Sequence, residues 1–194
     1  VWRKQPYQEI LMKASYISPC YAYREKLAME TEEEYGIRVS NELEEKIISL
    51  GPNTIAAFIA ETVGGATAGV IPPVPGYFKN IRRICDKYGV ILILDEVMCG
   101  MGRTGTLFAC EQDSVIPDIV VVAKGLGAGY QPIGAALVSE KIFNAFKEGS
   151  GIFLHGHTYA SNPLSCAIAN AVLNEVVENN LVENALVVGN YLKC

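Results

Sequence analysis

Three short apolar runs, each closed by an ionisable side chain, constrain this chain more than any other feature. Residues 54–60 (TIAAFIA) end at Glu61, residues 90–94 (VILIL) at Asp95, and residues 118–123 (DIVVVA) at Lys124. Runs of this length that are apolar on both faces and rich in β-branched residues read as buried strands. Between the first two lies YFKNIRRICDKY, residues 77–88, with Phe78, Ile81, Ile84 and Cys85 on one stripe. That spacing predicts an amphipathic helix, and Gly89 closes it. Strand, helix and strand again imply an α/β fold, a mostly parallel sheet flanked by helices. Residues 133–138 are a fourth strand candidate.

The rest of the chain is read more coarsely. Residues 1–23 carry many aromatics with Pro6 and Pro19 and read as irregular, with a short strand near residues 16–21. The acidic run from Glu30 to Glu34 reads as a solvated helix face. Asn41 and Glu44 resemble a capping box, with Leu43, Ile47, Ile48 and Leu50 following at helical spacing and Gly51-Pro52-Asn53 ending that helix. Residues 162–192 read as one long helix with a weak break near Asn179-Asn180.

Half of the 194 residues are hydrophobic and 19% are charged, which is enough apolar material for a core and argues against disorder. Sixteen Lys and Arg against 21 Asp and Glu leave a net charge of −5 with no basic cluster. Nucleic acid and membrane surfaces are therefore poor partners. No apolar run is long enough to span a bilayer. Cys20, Cys85, Cys99, Cys110, Cys166 and Cys194 form no C-x-x-C pair and read as reduced, mostly buried thiols of a cytosolic-type protein. The chain starts Val1-Trp2-Arg3-Lys4 and stops within a helical stretch, as expected of a fragment of a longer protein. A cytoplasmic location is expected, with a mitochondrial one left open because the true N-terminus is expected upstream.

In open α/β sheets ligands bind beyond the carboxyl ends of the strands. Neighbouring strands are about 4.8 Å apart, so Glu61, Asp95 and Lys124 can face one crevice. By pattern alone this trio is equally a self-satisfying buried ion cluster or a catalytic set. Residues 99–105 (CGMGRTG) contain G-x-G-x-x-G, but they do not directly follow a strand and no acid lies about 20 residues on. They read as a tight loop that needs small residues. Residues 123–129 (AKGLGAG) have their lysine before the glycines, which excludes a P-loop. A lysine that does chemistry commonly forms an imine with a carbonyl. Its natural partner is pyridoxal phosphate, whose ring nitrogen is held protonated by a carboxylate. Lys124 and Asp95, on successive strands, suit those two roles.

The stretch from Asp95 to Gly105 (DEVMCGMGRTG) resembles the D-E-V-x-x-G-x-G-R-T-G signature of class III aminotransferases. DIVVVAKG, ending at Lys124-Gly125, fits the second half of that signature. His155-Gly156-His157-Thr158-Tyr159-Ala160-Ser161-Asn162-Pro163 resembles the family's G-H-T-Y-x-x-x-P segment. The match covers about residues 54–175 well and the first 50 loosely.

The resemblance implies the large domain of the aspartate-aminotransferase fold (fold type I), with pyridoxal 5'-phosphate as cofactor. It implies that Lys124 forms the internal aldimine and shuttles a proton, and that Asp95 pairs with the pyridinium nitrogen. It further implies that Val97 packs on the ring, that Glu61 lies near the ring hydroxyl, and that Thr158 binds the phosphate in a neighbouring subunit's site. A homodimer with shared sites follows, acting on an amine donor and an oxo-acid acceptor. Residues 1–194 would be part of the large domain, with an N-terminal segment and a C-terminal small domain outside the chain. As such a piece, the isolated chain is expected to bind cofactor weakly and turn over little.

Two positions depart from parts of the family. Ala66 stands where some members place a second glutamate, and Met98 where some carry Gln. Both point away from ornithine- and GABA-type enzymes towards the broad ω-aminotransferase group. An aminomutase or decarboxylase of the same fold, or a catalytically inactive truncated remnant, are the alternatives. A nucleotide-dependent oxidoreductase ranks below them because of the glycine spacing. His155 and His157 form H-x-H, which the family segment explains better than a metal site. Tyr21, Tyr23 and Arg24 are either a pocket wall or, more simply, a packed edge.

Overall fold

The computed structural model describes residues 4–193. A four-stranded sheet runs in the order β1 (Ala57–Glu61), β2 (Ile91–Asp95), β3 (Ile119–Val122) and β4 (Ala135–Val138). β1–β2 and β2–β3 are parallel, and β3–β4 is antiparallel. The strand candidates at residues 54–60, 90–94, 118–123 and 133–138 all form, and the sheet is mostly parallel as the strand–helix alternation implies. The register aligns Glu61 with Asp95 and Asp95 with Val121, so the three runs end at one edge.

The chain approaches the sheet through a 3-10 turn (Gln5–Ile10), a four-residue helix α1 (Ala22–Glu25) and a long helix α2 (Glu32–Leu50). Helix α3 (Tyr77–Tyr88) connects β1 to β2 and stops at Gly89 in the left-handed conformation, which only glycine takes at little cost. Tyr35, Val39, Leu43 and Ile47 recur every fourth residue along α2 and are buried against Phe78, Ile81, Ile84 and Cys85 of α3 and against Val90, Leu92 and Leu94. Leu92 and Leu94 are fully buried, whereas Ile91, Ile93 and Asp95 on the alternate face are half-buried. Each such leucine or isoleucine contributes about 1.5–3 kcal/mol on burial, so this face anchors the fold. After β4 come α4 (Glu140–Glu148), α5 (Pro163–Glu178) and α6 (Leu181–Tyr191).

Three expectations change. No strand forms over residues 16–21. There the Ser18 N–H donates to Glu42 Oε2 at 2.8 Å and the Tyr21 N–H to the Tyr35 hydroxyl at 2.7 Å, so side chains of α2 take the donors that a ladder would use. The capping box is not Asn41 and Glu44 but Thr31 and Glu34, ten residues earlier. Asn41 and Glu44 lie mid-helix and serve α3 instead: Asn41 accepts from Asn80, and Glu44 pairs with Lys87 at 2.5 Å. Glu32, Glu33 and Glu34 of the acidic run are exposed, as expected, and form the first turn of α2, where carboxylates oppose the positive end of the helix dipole. Residues 162–192 are two helices, because Asn180 turns left-handed at φ +51.

Among the described residues no helix is long and apolar enough to cross a membrane. Cys20, Cys85, Cys99 and Cys110 are free and buried, and Cys166 is free and exposed. Cys194 lies outside the described residues.

Candidate active site

Parallel strands present their carboxyl ends together, and here that edge carries the acids and the lysine. Past β2 the Glu96 N–H donates to Val121 O at 2.9 Å, and past β1 the Thr62 N–H donates to Asp95 O at 3.3 Å. The three strand tips are thus stitched to one another. Asp95 is half-buried, and its Oδ1 accepts the Val97 N–H at 2.9 Å, a local turn that fixes the carboxylate and places half-buried Val97 beside it. Oδ2 has no hydrogen-bond partner among the described residues.

Beyond β3, Ala123 is extended and Lys124 opens a 3-10 turn, Lys124–Leu126. Lys124 has φ +41, a conformation that costs a non-glycine residue about 1–3 kcal/mol and gathers at functional sites. Buried Leu126 holds the turn, packed with Val122 of β3 and Ala169 of α5. Lys124 itself is exposed, and none of the ion pairs among the described residues includes it. The alternative of a self-satisfying buried ion pair is therefore not realised at this lysine.

Glu61 stands beside Asp95 in the register and is exposed; its Oε2 accepts the Gly65 N–H at 3.3 Å. A Cβ on Gly65 would collide with Met98 Sδ and lie 3.3 Å from Glu61 Oε1, so the Glu61 and Met98 side chains converge over Gly65. Thr158 lies in an exposed stretch, and no hydrogen bond joins it to Asp95 or Lys124 among the described residues.

The glycine stretch opens no α-helix. It leads by turns into the 3-10 segment Ala109–Asp113. Its glycines answer to packing: a Cβ on Gly100 would stand 2.7 Å from Glu96 O, on Gly102 3.1 Å from Val182, and on Gly105 3.0 Å from Leu186. The loop therefore lies against α6 on one side. On the other, a Cβ on Gly125 would stand 2.9 Å from Met101 Cβ. His155 and His157 meet edge to face at 5.1 Å and continue a row through Phe153 to Phe146. Among the described residues no cluster of three or more His, Cys, Asp or Glu could hold a metal. Tyr21 stacks on Tyr23 at 6.3 Å with Arg24 over the Tyr21 ring, but Tyr23 and Arg24 are exposed, so the packed edge expected of the three is not formed within this chain.

One residue of this region escaped the sequence reading. Glu96 is fully buried and accepts four hydrogen bonds, from Thr62 Oγ1 (2.7 Å), Ala109 N (2.8 Å), Cys110 N (2.9 Å) and Cys99 Sγ (3.3 Å). The signal was present: with a period of two, Glu96 falls on the face of Leu92 and Leu94. Burial first, and then the Glu96 charge, push the Cys99 and Cys110 thiols up to about 12.

The family model described as Aminotransferase class-III matches residues 2–194. The chain belongs to the class III aminotransferases. It is 50% identical over 191 residues to an uncharacterized aminotransferase of Schizosaccharomyces pombe, covering 98% of this chain and 42% of that protein. It is 50% identical over 157 residues to gamma aminobutyrate transaminase 3, chloroplastic, of Solanum lycopersicum, covering 79% of this chain and 30% of that protein. Its structure is similar to a thermostable (S)-enantioselective omega-transaminase from Thermomicrobium roseum, with TM-score 0.88, 41% identity, and coverage of 97% of this chain and 42% of that one. The chain thus spans under half the length of these relatives, and its fold is the fold type I α/β arrangement of transaminases.

The residues fit pyridoxal phosphate, the cofactor general to this family. The donor set is right: a primary amine without an ion-pair partner on a strained turn, and a half-buried carboxylate with one oxygen already oriented by Val97.

Proposed function

We propose that the protein moves an amino group from an amine or ω-amino acid to an oxo acid, using pyridoxal phosphate held by Lys124. One observation carries this reading. Lys124 sits exposed on a positive-φ turn at the sheet edge where Asp95 ends the neighbouring strand. When bound, pyridoxal phosphate supplies an electron sink that acidifies the donor's amine-bearing carbon. Lys124 would hold the cofactor, and its amine would move a proton off and onto the donor carbon. Asp95 favours the protonated ring nitrogen by opposite-charge attraction. Val97 gives the ring an apolar wall, and Glu61 is assigned to the side of the ring hydroxyl.

Thr158, exposed within its own chain, is assigned to the phosphate of a second subunit's site, which makes the working unit a homodimer. The chain is part of the large, cofactor-binding domain. Its free, mostly buried thiols support a reducing compartment such as the cytoplasm.

The test is borohydride reduction of the cofactor-loaded protein followed by peptide mapping. The pyridoxyl label is expected on Lys124, and Lys124→Ala should lose both colour and turnover. A label on another lysine overturns the assignment. Turnover without an oxo acid, or with release of carbon dioxide, indicates an aminomutase or a decarboxylase instead.

A further inference from the structure

We propose that Glu96 is a positioning residue for the cofactor site, its buried carboxylate locking the β1 tip, the loop after β2 and the Lys124 turn into one unit. This rests on the assignment of Lys124 above. Every group aimed at Glu96 is a donor, and each oxygen accepts two hydrogen bonds: Thr62 Oγ1 and Cys110 N at Oε1, Cys99 Sγ and Ala109 N at Oε2. This set is the complement of an ionised carboxylate, whose two oxygens offer about four acceptor sites. A buried charge satisfied in this way has one good geometry, because losing any donor leaves an acceptor unpaired in a medium of low dielectric.

The donors come from parts of the chain far apart in sequence. Thr62 follows Glu61 directly. Cys99 and Gly100 begin the glycine loop, and the Gly100 N–H closes on Glu96 O at 2.9 Å. Ala109 and Cys110 open the 3-10 segment that follows that loop. Met101 of the glycine loop abuts Gly125, the residue after Lys124. Glu96 also follows Asp95 directly. One carboxylate therefore reaches Glu61 through Thr62, Asp95 through the backbone, and Lys124 through Met101. Asp95 faces the open side of the sheet and Glu96 the core, which divides contact with cofactor from support of the site.

Amide exchange and pyridoxal phosphate affinity of the full protein, wild type against Thr62→Val and Glu96→Gln, test this. Thr62→Val removes one donor and keeps the shape of the side chain. It is expected to raise exchange in peptides spanning residues 99–113 and 124–130. It should also weaken cofactor binding about tenfold, the scale of one hydrogen bond to a charged group. Glu96→Gln should move the same readouts further, and Glu96→Asp should restore part of the loss. Peptides of α2 and α3 should keep their wild-type rates. A purely structural role would loosen residues 99–113 while leaving residues 124–130 and cofactor affinity unchanged, and that result overturns the proposal. If Glu96→Gln does not fold, Thr62→Val decides alone. Absence of a borohydride label on wild-type Lys124 sinks the functional assignment, whereas a labelled wild type with unmoved variants sinks this inference only.

Discussion

Gly125 lies so close to Met101 that a methyl group on the glycine would stand 2.9 Å from the Met101 Cβ. The turn presenting Lys124 therefore rests on the loop that follows Asp95. A Cβ is a rigid obstacle, so Gly125→Ala must shift one of the two backbones. The expected result is a stability loss of about 1–3 kcal/mol, typical of overpacking, together with weakened pyridoxal phosphate binding. Denaturant titration and cofactor absorbance measure the two effects.

Asp95→Asn isolates charge from shape. Asn Oδ1 can still accept the Val97 N–H, so the local turn should persist. Turnover with an amine donor should fall about a hundredfold or more, the scale of losing a group that stabilises developing charge. Thermal stability should change little. Unaltered kcat in a correctly folded variant would remove Asp95 from the chemistry.

At the opposite end of the sheet Asp118 Oδ2 accepts from Arg82 Nη1 at 2.7 Å and from the Leu92 N–H at 2.8 Å. Burial alone would raise the Asp118 carboxyl, but the Leu92 N–H and the Arg82 guanidinium outweigh it and hold it below its ordinary 3.8. A depressed carboxylate stabilises the fold fully above its unfolded-state value, and the gain is lost as pH falls through the lower native value. Wild-type stability should therefore drop below about pH 4, where free aspartate begins to protonate. Asp118→Asn should lose about 1–3 kcal/mol at neutral pH and show a shallower acid slope in denaturant titrations.

Thr31 starts α2 by accepting the Glu34 N–H, while the Glu34 carboxylate accepts the Thr31 N–H at 2.8 Å. Thr31→Ala should cost about 1 kcal/mol, read as a lower denaturant midpoint with an unchanged slope. An equal loss from Asn41→Ala would point to the Asn80 contact rather than to a cap, because Asn41 lies mid-helix.

Thiol reactivity should follow burial. Burial pushes Cys85 up to about 11, and Cys99 and Cys110 up to about 12, whereas Cys166 is exposed. Brief alkylation of the native protein with peptide mapping should therefore label Cys166 before Cys20, Cys85, Cys99 and Cys110. Early labelling of Cys99 or Cys110 would mean that the Glu96 cluster opens readily.

Much of the fold was legible from local pattern. The strand tips at Glu61 and Asp95, the helix from Tyr77 to Tyr88 and its stop at Gly89 appear where spacing and residue type put them. The glycine loop is tight as expected, yet its reason, contact with Val182 and Leu186 of a helix some 80 residues later, is not in any local window. Residues 16–21 have strand-like composition but give their N–H donors to Glu42 and Tyr35. Asn41 and Glu44 have the letters of a cap but sit mid-helix, where they pair with α3.

By itself the amino-acid sequence determined the four sheet strands, the helix from Tyr77 to Tyr88 and which residue types close each run, because backbone period and steric preference act over a few neighbouring residues. Only tertiary structure decided that Glu61 and Asp95 share a register, that β4 runs antiparallel, and that Glu96 gathers donors from both ends of a loop. Those outcomes depend on which distant groups meet, and burial away from water makes each unpaired donor or acceptor costly enough to select one arrangement.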